Sequence, residues 1–223
     1  MNFTASYSQP QTYRFSLDSI ELAKYVADQL NSMTAEEKSQ LRVADLCAGC
    51  GVIGLELVFH QSEIRTVDFI EVQDVYRSHF EANSLTVPAS TEGRQLQWCE
   101  MNYQNLIGHE TWRGRYDLVL CNPPYFEPHQ GRRPPDTFKS RCRFFLDASF
   151  RDLLRCIEWI TAPGGQAIVL IRGLQDHGVA WQQRQLDLGE IWGTRGQGVA
   201  EIRGTTVYRY QADAIKALES API

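Results

Sequence analysis

With 223 residues, 43% of them hydrophobic, the chain is long enough to bury one full core, and a single α/β domain over residues 1–223 accounts for all of it. A net charge of −5 argues against a general polyanion binder, and no run approaches about eighteen consecutive apolar residues, which excludes a membrane-crossing helix. The opening Met1-Asn2-Phe3-Thr4-Ala5-Ser6-Tyr7 lacks the basic and apolar regions of a signal peptide, so a cytoplasmic location is expected.

Residues 1–39 form an entry segment and a first helix. Asp18-Ser19-Ile20-Glu21 opens that helix, and Ile20, Ala23, Val26, Ala27 and Leu30 share one face. Two readings of Phe15-Ser16-Leu17-Asp18-Ser19 stand side by side: Asp18 and Glu21 cap the helix, or the element lines a pocket. Leu41–Cys47 reads as a buried strand, Ala48-Gly49-Cys50-Gly51 as a glycine loop, and Val52–Phe59 as the helix after it. Cys47 and Cys50 form a Cys-x-x-Cys inside this loop with no second such pair in the chain. They read as reduced thiols rather than a zinc or redox site. The five histidines fall singly, and no metal is expected.

A second strand, Thr66–Glu71, ends in an acid, followed by a helix over 74–83 and a strand over Leu96–Glu100. Tyr116–Cys121 is a further apolar strand, stopped by Asn122-Pro123-Pro124-Tyr125, because two prolines cannot continue a ladder. Phe126–Arg143 is the longest aperiodic stretch and is expected to be a loop. It carries Arg132, Arg133, Lys139, Arg141 and Arg143 against Asp136 alone in its 131–143 section, a concentration of positive charge suited to local phosphate contact. The alternative is a solvated loop whose arginines pair with surface acids. A helix over Ala148–Ile160, a turn at Pro163-Gly164-Gly165 and a strand over Ala167–Ile171 follow. Glu190–Gly193 and Thr205–Tyr210 are expected as the last two strands, joined through Gly196, Gly198 and Gly204, with a terminal helix over Ala212–Glu219.

Two of these elements carry chemistry. The tetrapeptide Asn122–Tyr125 lies at the carboxyl end of its strand, where open α/β sheets place their ligands. A planar amino group is a poor nucleophile because its lone pair is delocalised. An Asn side-chain oxygen and the Pro123 carbonyl can accept its two hydrogens, holding the nitrogen and favouring its pyramidal form in the transition state, while the Tyr125 ring offers a stacking face. At the other site, a carboxylate ending the second strand suits the two hydroxyls of a ribose. Gly49, Gly51 and Gly54, with Glu71 twenty residues after Gly51, also satisfy a dinucleotide fingerprint. A nicotinamide reading therefore stays alive, although no hydride-transfer site is evident.

Asp45-Leu46-Cys47-Ala48-Gly49-Cys50-Gly51 resembles the first motif of the class I S-adenosylmethionine-dependent methyltransferases. Glu71 resembles their ribose acid, and Asn122-Pro123-Pro124-Tyr125 their amino-methylating fourth motif; order and spacing match over roughly residues 40–172. Upstream, Tyr13-Arg14-Phe15-Ser16-Leu17-Asp18-Ser19-Ile20-Glu21-Leu22-Ala23 is similar to the entry segment of the tRNA(Val) adenine-N6-methyltransferase family, which modifies the purine just 3′ of the anticodon.

The resemblance implies a doubly wound, Rossmann-like, seven-stranded sheet with its last strand antiparallel. It implies S-adenosylmethionine as cofactor, held by Asp45, Cys47, Ala48, Gly49, Gly51, Glu71 and Asn122. Asn102 is the nearest fit for the side chain that meets the cofactor's adenine amino group, with Glu100 as the alternative. Asn122, Pro123, Pro124 and Tyr125 become the catalytic residues, and Arg14, Phe126 and the five loop cations the substrate contacts, with tRNA the expected partner. Protein glutamine methylation on release factors is the main alternative, since those enzymes share Asn-Pro-Pro-Tyr. Their helical substrate domain does not fit in the 44 residues before Asp45. Methylation of another rRNA or DNA adenine is a variant of the first reading. A non-enzymatic RNA-binding scaffold would have no need of both Glu71 and Asn122.

Overall fold

The apolar run Arg42–Leu46 forms strand β1, buried at every position but the first, as a parallel strand covered by helices on both faces must be. The computed structural model describes residues 7–87, 93–129, 132–172 and 179–214. On one side of β1 lie β2 (Thr66–Glu71) and then β3 (Gln95–Glu100); on the other lie β4 (Tyr116–Cys121) and β5 (Thr161–Ile171). Beyond β5 come β7 (Thr205–Gln211) and, at the edge, β6 (Gly196–Ile202), giving a seven-stranded sheet in the order β3-β2-β1-β4-β5-β7-β6. The first five strands pair in parallel, and β7 is antiparallel to both its neighbours. The doubly wound sheet with an antiparallel last strand therefore stands. Strand order reverses between β1 and β4, and such a switch point opens a crevice at the carboxyl ends of the strands.

Side-chain alternation along the strands feeds a core on each face. Leu118, Leu120, Ile168 and Leu170 enter one cluster, while Val119, Cys121, Ala167 and Val169 enter the other. The first cluster lies under α1 (Leu17–Gln29) and α3 (Val52–His60), which pack on each other; the second lies under α6 (Phe150–Ile160) and α7 (Val179–Ile191). Three shorter α-helices are α2 (Ala35–Gln40), α4 (Arg77–Ser84) and α5 (Thr137–Arg143), with short 3-10 turns between elements. Reciprocal capping boxes start α2, through Thr34 and Glu37, and α6, through Ser149 and Asp152.

Four expectations need correction. The stretch 126–143 is not loop throughout, because its end is α5, with Asp136 Oδ1 accepting from the Lys139 N–H at 3.1 Å. The phenylalanines then tie that segment down: Phe126 N–H donates to the Arg143 carbonyl at 2.9 Å and Phe145 N–H to the Phe126 carbonyl at 2.9 Å. Glu190 and Ile191 end α7 rather than forming a strand. The strand is the glycine-containing Gly196–Ile202, which pairs only with β7 and needs no apolar run. Trp192 instead fills the core, its Nε1 donating to the Leu154 carbonyl at 3.0 Å, so close under Gly196 that a Cβ there would lie 2.8 Å from the indole. Pro163-Gly164-Gly165 is an irregularity inside β5, where the register with β4 jumps between Tyr116 and Leu118.

The fourth correction concerns α1. Its N-cap is Ser16, with no side-chain capping bond, and Asp18 and Glu21 do not cap it; both lie beside Arg203 of the β6–β7 turn, at 3.3 and 3.5 Å. Of the expected terminal helix over 212–219, residues 215–219 lie outside the described residues.

Candidate active site

The glycine loop is shaped by its glycines in different ways. Cys47, Gly49 and Gly51 all take positive φ (59°, 54° and 84°), which swings the chain off β1 into α3. A Cβ at Gly51 would lie 2.8 Å from Phe80, and one at Gly54 2.6 Å from Phe69, so these two permit helix–strand packing. At Gly49 the nearest atoms stand 3.8 Å away on Tyr76, so this glycine leaves its backbone open to close approach.

Two carboxylates hold this loop. Asp45 is fully buried, its Oδ2 accepting from the Gly54 N–H at 2.9 Å, while Oδ1 has no hydrogen-bond partner among the described residues. It ties β1 to the first turn of α3 beneath the loop and does not reach the cleft. Glu71, at the end of β2, accepts from Gly49 N–H on Oε2 (2.9 Å) and from Val72 and Gln73 N–H on Oε1 (3.0 and 2.9 Å). Burial pushes its pKa up, against the pull of those three N–H groups.

Burial also pushes the Asp45 pKa up to about 8, with the Gly54 N–H pulling it down and the Glu71 charge adding to the rise. The folded protein thus keeps a proton on Asp45 that the unfolded chain has already released. The stability this proton contributes is full below the ordinary carboxylate pKa and is lost as pH rises through about 8. Asp45→Asn should therefore gain on the wild type in unfolding free energy as pH climbs from about 4 to about 8, measured by denaturant titration of the ligand-free proteins. A gap that moves the other way contradicts this account of Asp45.

Across the crevice, Asn122 leaves the end of β4. Its Nδ2 donates to Ser19 Oγ at 2.9 Å, and its Oδ1 accepts from the Tyr125 hydroxyl at 2.7 Å. The Tyr125 carbonyl accepts from Arg184 Nη2 at 2.6 Å. Arg184 comes from α7, is buried against the rings of Phe145 and Phe150, and has its pKa lowered by that burial.

These two walls enclose one cleft of about 320 Å³. Of the residues read from the sequence, Cys47, Ala48, Gly49, Glu71, Asn122, Pro123, Pro124, Tyr125, Phe126, Arg141 and Arg143 line it. Asp45, Gly51, Asn102, Arg14, Arg132, Arg133 and Lys139 do not. The entry segment lines it through Tyr13, Phe15, Ser16, Asp18 and Ser19, which decides for the pocket reading of that element.

Asn102 is turned to structural use: its Oδ1 accepts from Gln104 N–H at 2.9 Å and its Nδ2 donates to the Asp147 carbonyl at 2.7 Å. Glu100 pairs with Arg77 at 3.3 Å, and Met101 and Tyr103 line the cleft instead.

The basic segment divides. Arg141 Nε donates to both Asp147 oxygens at 3.0 Å, and Arg133 is bound to the Pro128 carbonyl at 2.6 Å. Arg143 lies over the Phe126 ring at 5.1 Å, and Arg172, at the end of β5, lies over the Tyr125 ring at 5.6 Å. Sequence reading missed Arg172, Arg184, Tyr76, Cys142 and Asp147. Cys142 joins α5 to the loop after β2, accepting from Gln73 Nε2 at 3.5 Å and meeting the Tyr76 hydroxyl at 3.2 Å. All six cysteines are free.

Solved structures share this architecture. The 16S rRNA N2 G1207 methyltransferase of Thermus thermophilus, determined with AdoMet and guanosine, superposes with a TM-score of 0.57 at 16% identity, over 91% of this chain and 44% of that one. A putative RNA methyltransferase of Pyrococcus horikoshii gives 0.56 at 14% identity, over 96% and 88%. The fold is that of the class I methyltransferases.

The methyltransferase resemblance extends to sequence. A family model described as lysine methyltransferase matches residues 18–123. The tRNA1(Val) (adenine(37)-N6)-methyltransferase of Shewanella sp. (strain W3-18-1) is 28% identical over 130 residues, 58% of this chain and 52% of the relative. That of Shewanella putrefaciens is 27% identical over 177 residues, 75% of this chain and 71% of the relative. The chain thus spans about half the length of the first of these relatives. No described helix is long and apolar enough to cross a membrane.

Proposed function

We propose that this methyltransferase-fold protein transfers a methyl group from S-adenosylmethionine to the N6 amino group of an adenine in structured RNA, with tRNA in the cytoplasm as its substrate. The observation that carries the reading is that Glu71, the open Gly49 backbone and the Asn-Pro-Pro-Tyr segment line the same cleft at the switch point of the sheet. The curated relatives of Shewanella support the choice of tRNA adenine.

The residues present fit the cofactor. Gly49 admits a ligand against its backbone, Tyr76 offers an aromatic edge, and Glu71 keeps acceptor capacity beyond its three N–H bonds for ribose hydroxyls. Bound there, S-adenosylmethionine supplies an electrophilic methyl group on a sulfonium that leaves readily. Asn122 Oδ1 and the Pro123 carbonyl accept the hydrogens of the target amino group, which orients its nitrogen and favours the pyramidal form. Catalysis is then mostly positioning, and no residue need act as a strong base, because the C–N bond forms as the C–S bond breaks and the methylated nitrogen gives up its extra proton to water after attack. Arg143 and Arg172, each lying on an aromatic ring at the cleft, suit a phosphate backbone and a stacked base, and they disfavour the cationic side chain of a lysine substrate.

Salt dependence separates RNA from protein as substrate. Arg141 and Arg133 are engaged locally, so Arg132, Arg143 and Arg172 are the cations to remove. Replacing these three by glutamine should flatten the log–log slope of tRNA affinity against salt by roughly 0.7–0.9 for each phosphate no longer neutralised, with cofactor affinity unchanged. An unchanged slope would leave these residues as solvated surface and favour a protein glutamine as the methyl acceptor.

A further inference from the structure

Asn122 is held at both ends of its amide by residues that differ in chemistry. A phenol is a strong donor and a weak acceptor, so the Tyr125 hydroxyl at 2.7 Å selects Oδ1 as its partner. The amide nitrogen must then face Ser19, whose hydroxyl accepts at 2.9 Å. This arrangement leaves Oδ1 one further lone pair to offer a hydrogen-bond donor in the cleft.

Ser19 is itself buried and well anchored. It lies in the first turn of α1, beside Asp18, which pairs with Arg203 at 3.3 Å. The chain before it is fastened to α3 by the Tyr7 hydroxyl on Glu56 (3.1 Å) and to α4 by Ser8 N–H on Asn83 Oδ1 (2.6 Å). A hydroxyl at the start of α1 has no capping work to do, since the N-cap is Ser16.

We propose that Ser19 is a positioning residue for methyl transfer: its hydroxyl fixes the Asn122 amide with the oxygen presented to the target N–H, making the first turn of α1 part of the catalytic apparatus. The proposal rests on reading Asn122 as the acceptor for the target amino group. It has a consequence that packing alone does not. Loss of the hydroxyl leaves the amide held by the Tyr125 hydroxyl alone and therefore looser, which lowers the chemical step and spares cofactor binding, because Ser19 acts on the acceptor and not on the glycine loop.

The test uses the full chain labelled with nitrogen-15, as wild type, Ser19→Ala, Ser19→Thr and Ser19→Cys, with Asn122→Ala to assign the Asn122 side-chain amide signals. Three quantities are read: solvent exchange of that amide without substrate, S-adenosylmethionine affinity, and the single-turnover rate of methyl transfer to unmodified tRNA. In Ser19→Ala the amide should exchange faster and the rate should fall about 10- to 100-fold, with S-adenosylmethionine affinity held within about twofold. Threonine should restore both. Cysteine, of similar size and a weak acceptor, should behave like alanine and serves if the alanine protein does not fold. Wild-type amide exchange in Ser19→Ala, or a wild-type rate despite altered exchange, overturns the proposal. If the wild-type protein methylates no tRNA while the amide still responds to Ser19, the substrate reading fails and the Ser19 contact stands.

Discussion

Asn122→Ala is expected to lower the single-turnover rate of methyl transfer by about 10²–10³-fold while cofactor affinity changes by less than about threefold. The asymmetry follows from where Asn122 is held. Its partners, Ser19 and Tyr125, lie on the wall of the cleft proposed to receive the adenine, whereas the glycine loop proposed to meet the cofactor is tied to Glu71 and, through the start of α3, to Asp45. Asn122→Asp should also be impaired. It keeps an acceptor for the target amine but loses the donor to Ser19 and brings a charge to a half-buried site. Rapid-quench measurement at saturating cofactor and RNA checks both variants. A wild-type rate in Asn122→Ala removes the tetrapeptide from the chemistry.

The second large effect falls on Glu71. Its carboxylate accepts three backbone N–H groups, so alanine would strand all three and cost stability as well as binding. Glutamine is the sharper probe: its oxygen can still serve Val72 and Gln73, but its amide nitrogen then meets the Gly49 N–H donor to donor. Glu71→Gln should weaken S-adenosylmethionine binding by about 10- to 100-fold, the equivalent of roughly 1.4–2.8 kcal/mol, with only a modest fall in Tm. Calorimetry decides. Wild-type affinity in Glu71→Gln would take Glu71 out of the cofactor site, and tight binding of a nicotinamide dinucleotide instead would defeat the methyltransferase reading.

How much of this was legible varied with burial. β1, β2 and β4 announce themselves as apolar runs ended by residues that turn the chain, and the two motifs sit at those ends, so both walls of the cleft could be placed in advance. β6 gives no such signal, because an edge strand with half-exposed residues and two glycines carries neither an apolar run nor a clean alternation. α5 is masked by the prolines before it and by the arginines along it, although Asp136 caps it in the ordinary way. Trp192 misled for the opposite reason, as an aromatic beside β-branched Ile191 reads as strand while its ring serves the core between α6 and β7.

Within the site, roles proved harder to read than membership. Asp45 and Gly51 belong to a recognisable motif yet act beneath the cleft surface, on backbone and packing. Arg184 could not be anticipated, since an arginine between Gln183 and Gln185 on a helix looks solvent-facing. Only the fold returns it, across 59 residues, to the Tyr125 carbonyl. The same holds for Ser19, which meets Asn122 across 103 residues.

A cleft that delivers a methyl group to an adenine amino nitrogen on RNA marks its product chemically. The most direct test is to incubate the protein with methyl-labelled S-adenosylmethionine, unmodified tRNA and release factor together, digest the RNA to nucleosides and the protein to peptides, and locate the label. Label is expected in N6-methyladenosine from the tRNA and is expected to be absent with Asn122→Ala. Label recovered in a glutamine of the release factor, with none in the RNA, would contradict it.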